Sequence, residues 1–444
     1  MGGGADRSDC ARYKFGMKNI PAFIEEDHMT AKSNFLASLN FEVMEIKHSD
    51  GRVDKVTNEW KDADDEMQRD TYFGMQLKKG KDISEKMEPF LTGVTDSLER
   101  ARKIYAFIKS WYTWNGYYGK YSIHGIKRAF EAKTGDIGDI NLSLIAALRN
   151  NGFDVESLVL STRDNGLPTD LFPVLNDFNY VIAKLNLGDK VFLLDGSDPY
   201  LSFGMLPERC LNGKGRVFAD KKPSYWYDLK PTEKYRRVTV LDLTLGPTGI
   251  FTGTIQNHYY GYRALEKRKR ISSFNNQEEY LEELKKDLNE IVINKYEVSG
   301  TGDFNSPVTE KLEVEIEGFD NLNNDNFLLN PFFSGKIERN PFRSNERLFP
   351  VDFGAPVETT IVLNLTYPSS IELESAPDKV ALTLPNSGGK FLFDVTTLEN
   401  KLTINYLFSI NKTVFNSTEY HYLKELYDRV IQTQQTDLLF KKKK

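Results

Sequence analysis

Residues 134–152, TGDIGDINLSLIAALRNNG, provide the setting for a reactive group without the group itself. Ile137, Ile140, Leu144, Ile145 and Leu148 recur at three- and four-residue spacing, which puts them on one face of a helix. Gly152 supplies the left-handed residue that commonly ends one. The polar entry, Thr134-Gly135-Asp136, brings side-chain oxygens to the point where the first backbone N–H groups lack partners, so Asp136 or Thr134 is expected to cap the helix. A thiol at such an end would be acidified by the helix dipole and would have amide donors beside it. Position 137 instead carries isoleucine, with no titratable or nucleophilic atom.

No other thiol or imidazole restores that pattern. Cys210 comes after the strand that ends at Asp195, not at the entry of a buried helix, and Cys10 sits in an irregular leader of glycines and charges. His28, His48, His124, His258 and His421 are scattered singly, and neither cysteine has zinc-like spacing, so no metal and no cofactor are expected. Residues 320–326 have the polar composition of a calcium loop, but Leu322 occupies a ligand position and the glycine is absent, so a solvated turn is expected.

The elements that would position a site flank this helix. Residues 96–114 carry an apolar stripe of Leu98, Ala101, Ile104, Tyr105, Ile108 and Trp111 behind a capping-box-like start, Asp96 with Glu99. Residues 155–162, VESLVLST, read as a strand; 177–182, DFNYVI, and 191–195, VFLLD, follow, with Gly204 and Pro207 beyond. This order resembles the transglutaminase-like superfamily of papain-like folds, whose pattern is Gly-Asp-Cys, a Leu- and Ala-rich helix, a strand carrying His and a strand carrying Asp. The resemblance places the nucleophile on Ile137, the base on Tyr180 and the orienting acid on Asp195, 43 and 15 residues apart. Only the last keeps its chemistry. Tyrosine, with an ordinary pKa of about 10, is a poor base near neutrality, and it has no thiol here to deprotonate. The resemblance therefore implies a frame whose cysteine–histidine reaction is lost.

Six aromatics stand in the eleven positions 111–121, more than one helix face can bury. Trp114, Tyr117 and Tyr118 either line a cleft for sugar or peptide, with Asp139 beside them, or fill the core between two helices. Asp136 and Asp139 also read as cap and first-turn charges, Asp195 as a strand-end hydrogen-bonding residue, and Tyr180 as a buried aromatic whose hydroxyl finds a partner. Three functions follow: an inactive transglutaminase-like module that binds a peptide, a glycan or another envelope protein; an active amidase, peptidase or crosslinker working through Asp139 or Asp195; and a purely structural domain.

The 444 residues, 40% hydrophobic and 27% charged, are enough for two or three cores. A net charge of -6 gives no sign of nucleic acid, and no window has the apolar length of a membrane span. The basic run 263–270, RALEKRKR, is expected to be a solvated face near an acidic helix at 278–291, and 441–444 a frayed charged tail. Past residue 225, alternating segments at 238–245, 249–256, 311–316, 360–365, 379–384, 390–394 and 401–408 read as strands, closed by a helix at 420–432. The expected fold is α+β: a papain-like transglutaminase core at 91–225 and a β-sandwich-like region at 226–444, divisible at 335/336. Residues 19–43 resemble the end of a β-domain that precedes the core in a group of bacterial exported proteins, so 1–90 is expected to be its remnant and linker. Segments around Asn340-Pro341-Phe342 and 349–353 resemble that group's C-terminal domain. The resemblance implies a periplasmic or extracellular location. The first residues, MGGGAD, lack the basic and apolar regions of a signal peptide, and a start truncated at the N-terminus is expected. Asn364, Asn411 and Asn416 lie in glycosylation sequons that carry weight only with export.

Overall fold

The computed structural model describes residues 11–443 apart from 42, 49, 56–58, 221, 289 and 320–324. Cys10, its leader, most of the 320–326 turn and Lys444 therefore lie outside the described residues. Eight α-helices stand among those described: α1 (Trp60–Arg69), α2 (Lys81–Leu91), α3 (Ser97–Trp111), α4 (Ile126–Ala132), α5 (Ile137–Asn150), α6 (Gly261–Ser272), α7 (Gln277–Asp287) and α8 (Tyr420–Gln435).

Asp136 starts α5 with a full capping box: its side chain accepts the Asp139 N–H at 2.8 Å, and the Asp139 carboxylate accepts the Asp136 N–H at 3.2 Å. Every residue from 137 to 148 is buried, so this helix is enclosed on all sides and is the axis of the first half of the chain. On one side lie α2, α3 and α4; on another lies a five-stranded antiparallel sheet with strand order Lys190–Leu194, Tyr180–Leu187, Asp154–Leu160, Lys214–Phe218, Tyr225–Asp228. Strand alternation splits the sheet residues cleanly. Val181, Ala183 and Leu185 join the helical core, whereas Tyr180 and Ile182 join a second cluster with Ile137, Cys210 and Leu211. Each such aliphatic side chain contributes about 2 kcal/mol by leaving water.

Strands dominate the second half, and the whole is a mixed α and β fold. An eight-stranded sheet runs in the order Ile291–Ser299, Val308–Glu317, Ile250–Tyr260, Tyr235–Leu245, Val357–Thr366, Lys401–Ile410, Gly389–Leu398, Val380–Thr383. Its central pair is parallel, Tyr235 opposite Val357; its other neighbours are antiparallel. The layer packed with it is only partly a sheet. Leu423, Leu426 and Val430 of α8, Tyr280 and Leu284 of α7, and residues of a three-stranded sheet (Asn326–Leu329, Leu438–Lys442, Ile371–Ser375) share its core, so a sandwich describes this region only in part.

Packing crosses each of the expected domain boundaries. Met67, Ile83, Met87 and Leu91, on α1 and α2, pack in the same core as Leu144, so the stretch 60–91, expected to belong to the remnant and linker, shares the core of the helical unit. Tyr235, Tyr262, Leu265 and Ala355 pack with Ile137 and Tyr180 across 225/226. The parallel strand pair spans 335/336 within one sheet. Two local expectations also change. Residues 441–442 form a strand, with Lys441 ion-paired to Glu372 and Glu374. Ile291 starts a strand, because α7 ends at Asp287.

Candidate functional site

Three elements converge at the start of α5. Tyr180 is the first residue of its strand, Asp195 follows directly on the neighbouring strand, and the 113–118 segment crosses above. Ile137, Tyr180 and Asp195 thus lie together, each with no exposed surface. The Tyr180 hydroxyl donates to Asp195 Oδ2 at 2.6 Å. It accepts from Arg209 Nε at 3.0 Å and Nη2 at 2.8 Å, and Arg209 Nη2 stands 3.6 Å from Asp195 Oδ2. The other carboxylate oxygen accepts from Asn141 Nδ2 at 3.1 Å and from the Ser197 N–H at 2.9 Å. Asn141 also ties two elements to α5, donating to the Val181 carbonyl and accepting the Gly196 N–H.

The chemistry open to this cluster is narrow. Burial, and then Asp195, push the Tyr180 hydroxyl well above its ordinary value, so it holds its proton and works as a donor, not as a base. Burial likewise pushes the Cys210 thiol well up, and that thiol is enclosed in the same core, the reverse of an activated nucleophile. Burial lowers the Arg209 pKa, but Tyr180 and Asp195 outweigh it and hold the guanidinium charged. The Ile137 backbone N–H, which would face an oxyanion at this helix end, is bonded at 3.3 Å to the Tyr117 carbonyl.

The aromatic run divides. Trp111 stacks between Phe107 and Phe130, and Tyr112 is buried, its hydroxyl 2.8 Å from Ser143 Oγ. Trp114 and Tyr118 instead lie parallel, 5.8 Å between ring centroids and 3° between planes, with the Arg209 guanidinium 4.9 Å from the Trp114 ring centroid. Tyr118 meets Tyr180 edge-on, and Tyr117 is 72% exposed. A partly exposed aromatic ledge therefore sits directly over the buried cluster. Asp139 does not join it: its carboxylate accepts from Ser122 Oγ at 2.5 Å and from the Asp136 backbone. Sequence reasoning missed Arg209, Asn141 and Ser197. Asn141 had a signal, being four residues beyond Ile137 and so on the same helix face; Arg209 had none, since a loop delivers it.

Asp136 gives a testable pH dependence. Burial, and then the Asp139 charge, push its carboxyl up to about 6, with backbone N–H bonds opposing. The folded state therefore binds this proton more tightly than the unfolded chain. The contribution is full below the ordinary value of 3.8 and fades as pH rises through about 6. Asp136→Asn keeps the cap and removes the titration. Its Tm should fall less than the wild type's between about pH 4 and pH 7, and identical profiles would rule this out.

Among the described residues, no three His, Cys, Asp or Glu side chains gather as a metal site, and no helix is long and apolar enough to cross a membrane.

Comparison with known proteins first places the fold. The crystal structure of a protein from Parabacteroides distasonis, described as a "putative protease", superposes with a TM-score of 0.52 at 12% identity, covering 91% of this chain and 64% of that one. At that identity the likeness speaks for the fold alone, and this chain spans under two thirds of its neighbour's length. Residues 325–440 match a domain family of unknown function with a solved structure, DUF3858. No curated protein matches the chain.

Proposed function

We propose that residues 91–225 form a transglutaminase-like core in which a buried hydrogen-bond cluster has replaced cysteine–histidine chemistry, and that the protein works at or outside the bacterial envelope as a peptide- or glycan-binding module. The observation that carries this is the use made of each position of the resemblance: Ile137 fills the core, Tyr180 donates a hydrogen bond to Asp195, and Arg209 donates to the Tyr180 hydroxyl and ion-pairs with Asp195. The Trp114–Tyr118 ledge above them is the surface such a module would present. An enzyme reading based on Asp195 has to contend with a carboxylate that has no exposed surface and bonds on both oxygens. Asp139 is in a similar position.

Turnover and binding test this separately. Wild-type protein should neither release ammonia from, nor incorporate amine into, glutamine peptides, nor hydrolyse amides. Ile137→Cys with Tyr180→His should stay at least about a hundredfold below an active enzyme, because the helix-end N–H remains taken by Tyr117 and one missing oxyanion donor alone costs that much. Wild-type turnover that vanishes in a folded Asp195→Asn variant would overturn the reading. Tryptophan fluorescence titrations with peptidoglycan-derived peptides and with oligosaccharides address the ligand. Binding to either class that is lost in Trp114→Ala supports the ledge, whereas binding unchanged by that substitution removes it.

A further inference from the structure

A second cavity lies in the other half of the chain, between α6, the loop at 335–337, α8 and one face of the eight-stranded sheet. Its volume is about 480 Å3. Strand register builds its floor. Tyr259 is opposite Arg237, Arg237 is opposite Thr359, and Thr359 is opposite Phe408, so these four side chains from four adjacent strands project from the same face. Tyr406, two residues from Phe408, extends the floor, and Tyr427 of α8 adds an aromatic wall. Three cations of α6, Arg263, Lys267 and Arg270, lie at spacings of four and three and face the same space.

The charges around the cavity do not cancel. Arg263 pairs with Glu266 at 2.9 Å, Lys267 with the buried Glu310 at 2.9 Å, and Arg270 with Asp287. Four cations thus meet three carboxylates, and the surplus is Arg237. Among the described residues its guanidinium makes no hydrogen bond and no ion pair, although it is partly buried and lies close against Gly335. Burial lowers its pKa, Tyr259 and Tyr406 oppose that shift, and nearby Arg263 adds to it. A partly buried guanidinium without a carboxylate partner is under-compensated, and a cavity large enough for a small organic molecule opens beside it.

We propose that this cavity binds a carboxylate-bearing ligand: the carboxylate pairs with Arg237, and an apolar or aromatic body lies among Tyr259, Tyr406, Phe408 and Tyr427. One surplus positive charge suits a monoanion, and a planar guanidinium suits a carboxylate's two oxygens. The same chemistry is offered by a free organic acid and by a peptide C-terminus, and the two differ in what the walls must accommodate.

Isothermal titration with benzoate, benzamide, inorganic phosphate and a short aromatic peptide in free-acid and amidated forms tests this on the full chain. Benzoate or the free-acid peptide should bind the wild type, and Arg237→Met should weaken that binding by about tenfold or more, the worth of a charged hydrogen bond. Arg237→Met should also raise the ligand-free Tm. Should that variant fail to fold, Arg237→Lys retains the charge but loses the fork, and is likewise expected to weaken binding. Stronger binding of benzoate than of the peptide identifies a free acid; the reverse identifies a chain end. Benzamide binding as well as benzoate, phosphate binding better than either carboxylate, full binding by the Arg237 variants, or no binding of any probe would each overturn the proposal.

Discussion

Replacing Arg209 by alanine is expected to destabilise the protein by about 3 kcal/mol, the scale of removing one partner from a largely buried ion pair. Asp195 has no exposed surface, and among the described residues Arg209 is the cation paired with its Oδ2, at 3.6 Å. Without the guanidinium the Tyr180 hydroxyl also loses both of its incoming N–H donors. Asn141 and the Ser197 N–H would still hold Oδ1, so the loop at 195–197 should stay in place while the charge is left uncompensated. Asp195→Asn removes that charge. The double variant should therefore recover a large part of the loss, and a double-mutant cycle by urea denaturation should give a coupling energy of at least about 1 kcal/mol. Additive single losses would mean that the cluster does not act as a unit. They would also weaken the claim that this network replaced a reaction centre, since a vestigial Asp195 need not be coupled to Arg209 at all.

The same cluster shows what a sequence can and cannot reveal. Helix α5 was legible because its burial is written in local spacing and its cap in two acids three residues apart, Asp136 and Asp139. The meeting of Ile137, Tyr180 and Asp195 was legible only as an order of elements. Arg209 was not legible, because a loop fifty and more residues past α5 carries it in, and no local pattern encodes that return. The run at 263–270 failed for a related reason. Local charge argued for a solvated face, yet Lys267 and Arg268 are buried. Their partners lie far along the chain: Glu310 for Lys267, and the carbonyls of Gly300, Asp303 and Ser306 for Arg268. The Arg270–Asp287 ion pair and the Lys267 hydrogen bond to the Tyr280 hydroxyl match the expected contact with the acidic helix. Charge density on a helix predicts exposure until the fold brings acceptors to it.

Glu310 is the most heavily used of those acceptors, and Glu310→Leu is expected to cost about 3–5 kcal/mol. Its carboxylate is 1% exposed and accepts from Tyr259 at 2.9 Å, Tyr280 at 2.6 Å, Tyr296 at 3.0 Å and Lys267 at 2.9 Å. Leucine matches the volume but leaves three hydroxyls and a buried ammonium without their acceptor. Burial by itself raises the Glu310 pKa, but Lys267 and the tyrosine hydroxyls outweigh it, and the group ends below its ordinary value of 4.5. The folded state therefore favours the ionised form more than the unfolded chain does. Its contribution is complete above about pH 4.5 and disappears as pH falls through the lower folded value. The stability gap between wild type and Glu310→Leu should accordingly be widest near neutrality and narrow in acid, as followed by guanidinium denaturation across that range. Adding Lys267→Met to Glu310→Leu should return part of the loss by removing the stranded ammonium. A gap that holds constant into acid would mean that Glu310 contributes by shape and not by charge. In that case the balance of charges that leaves Arg237 as the surplus cation would need to be redrawn.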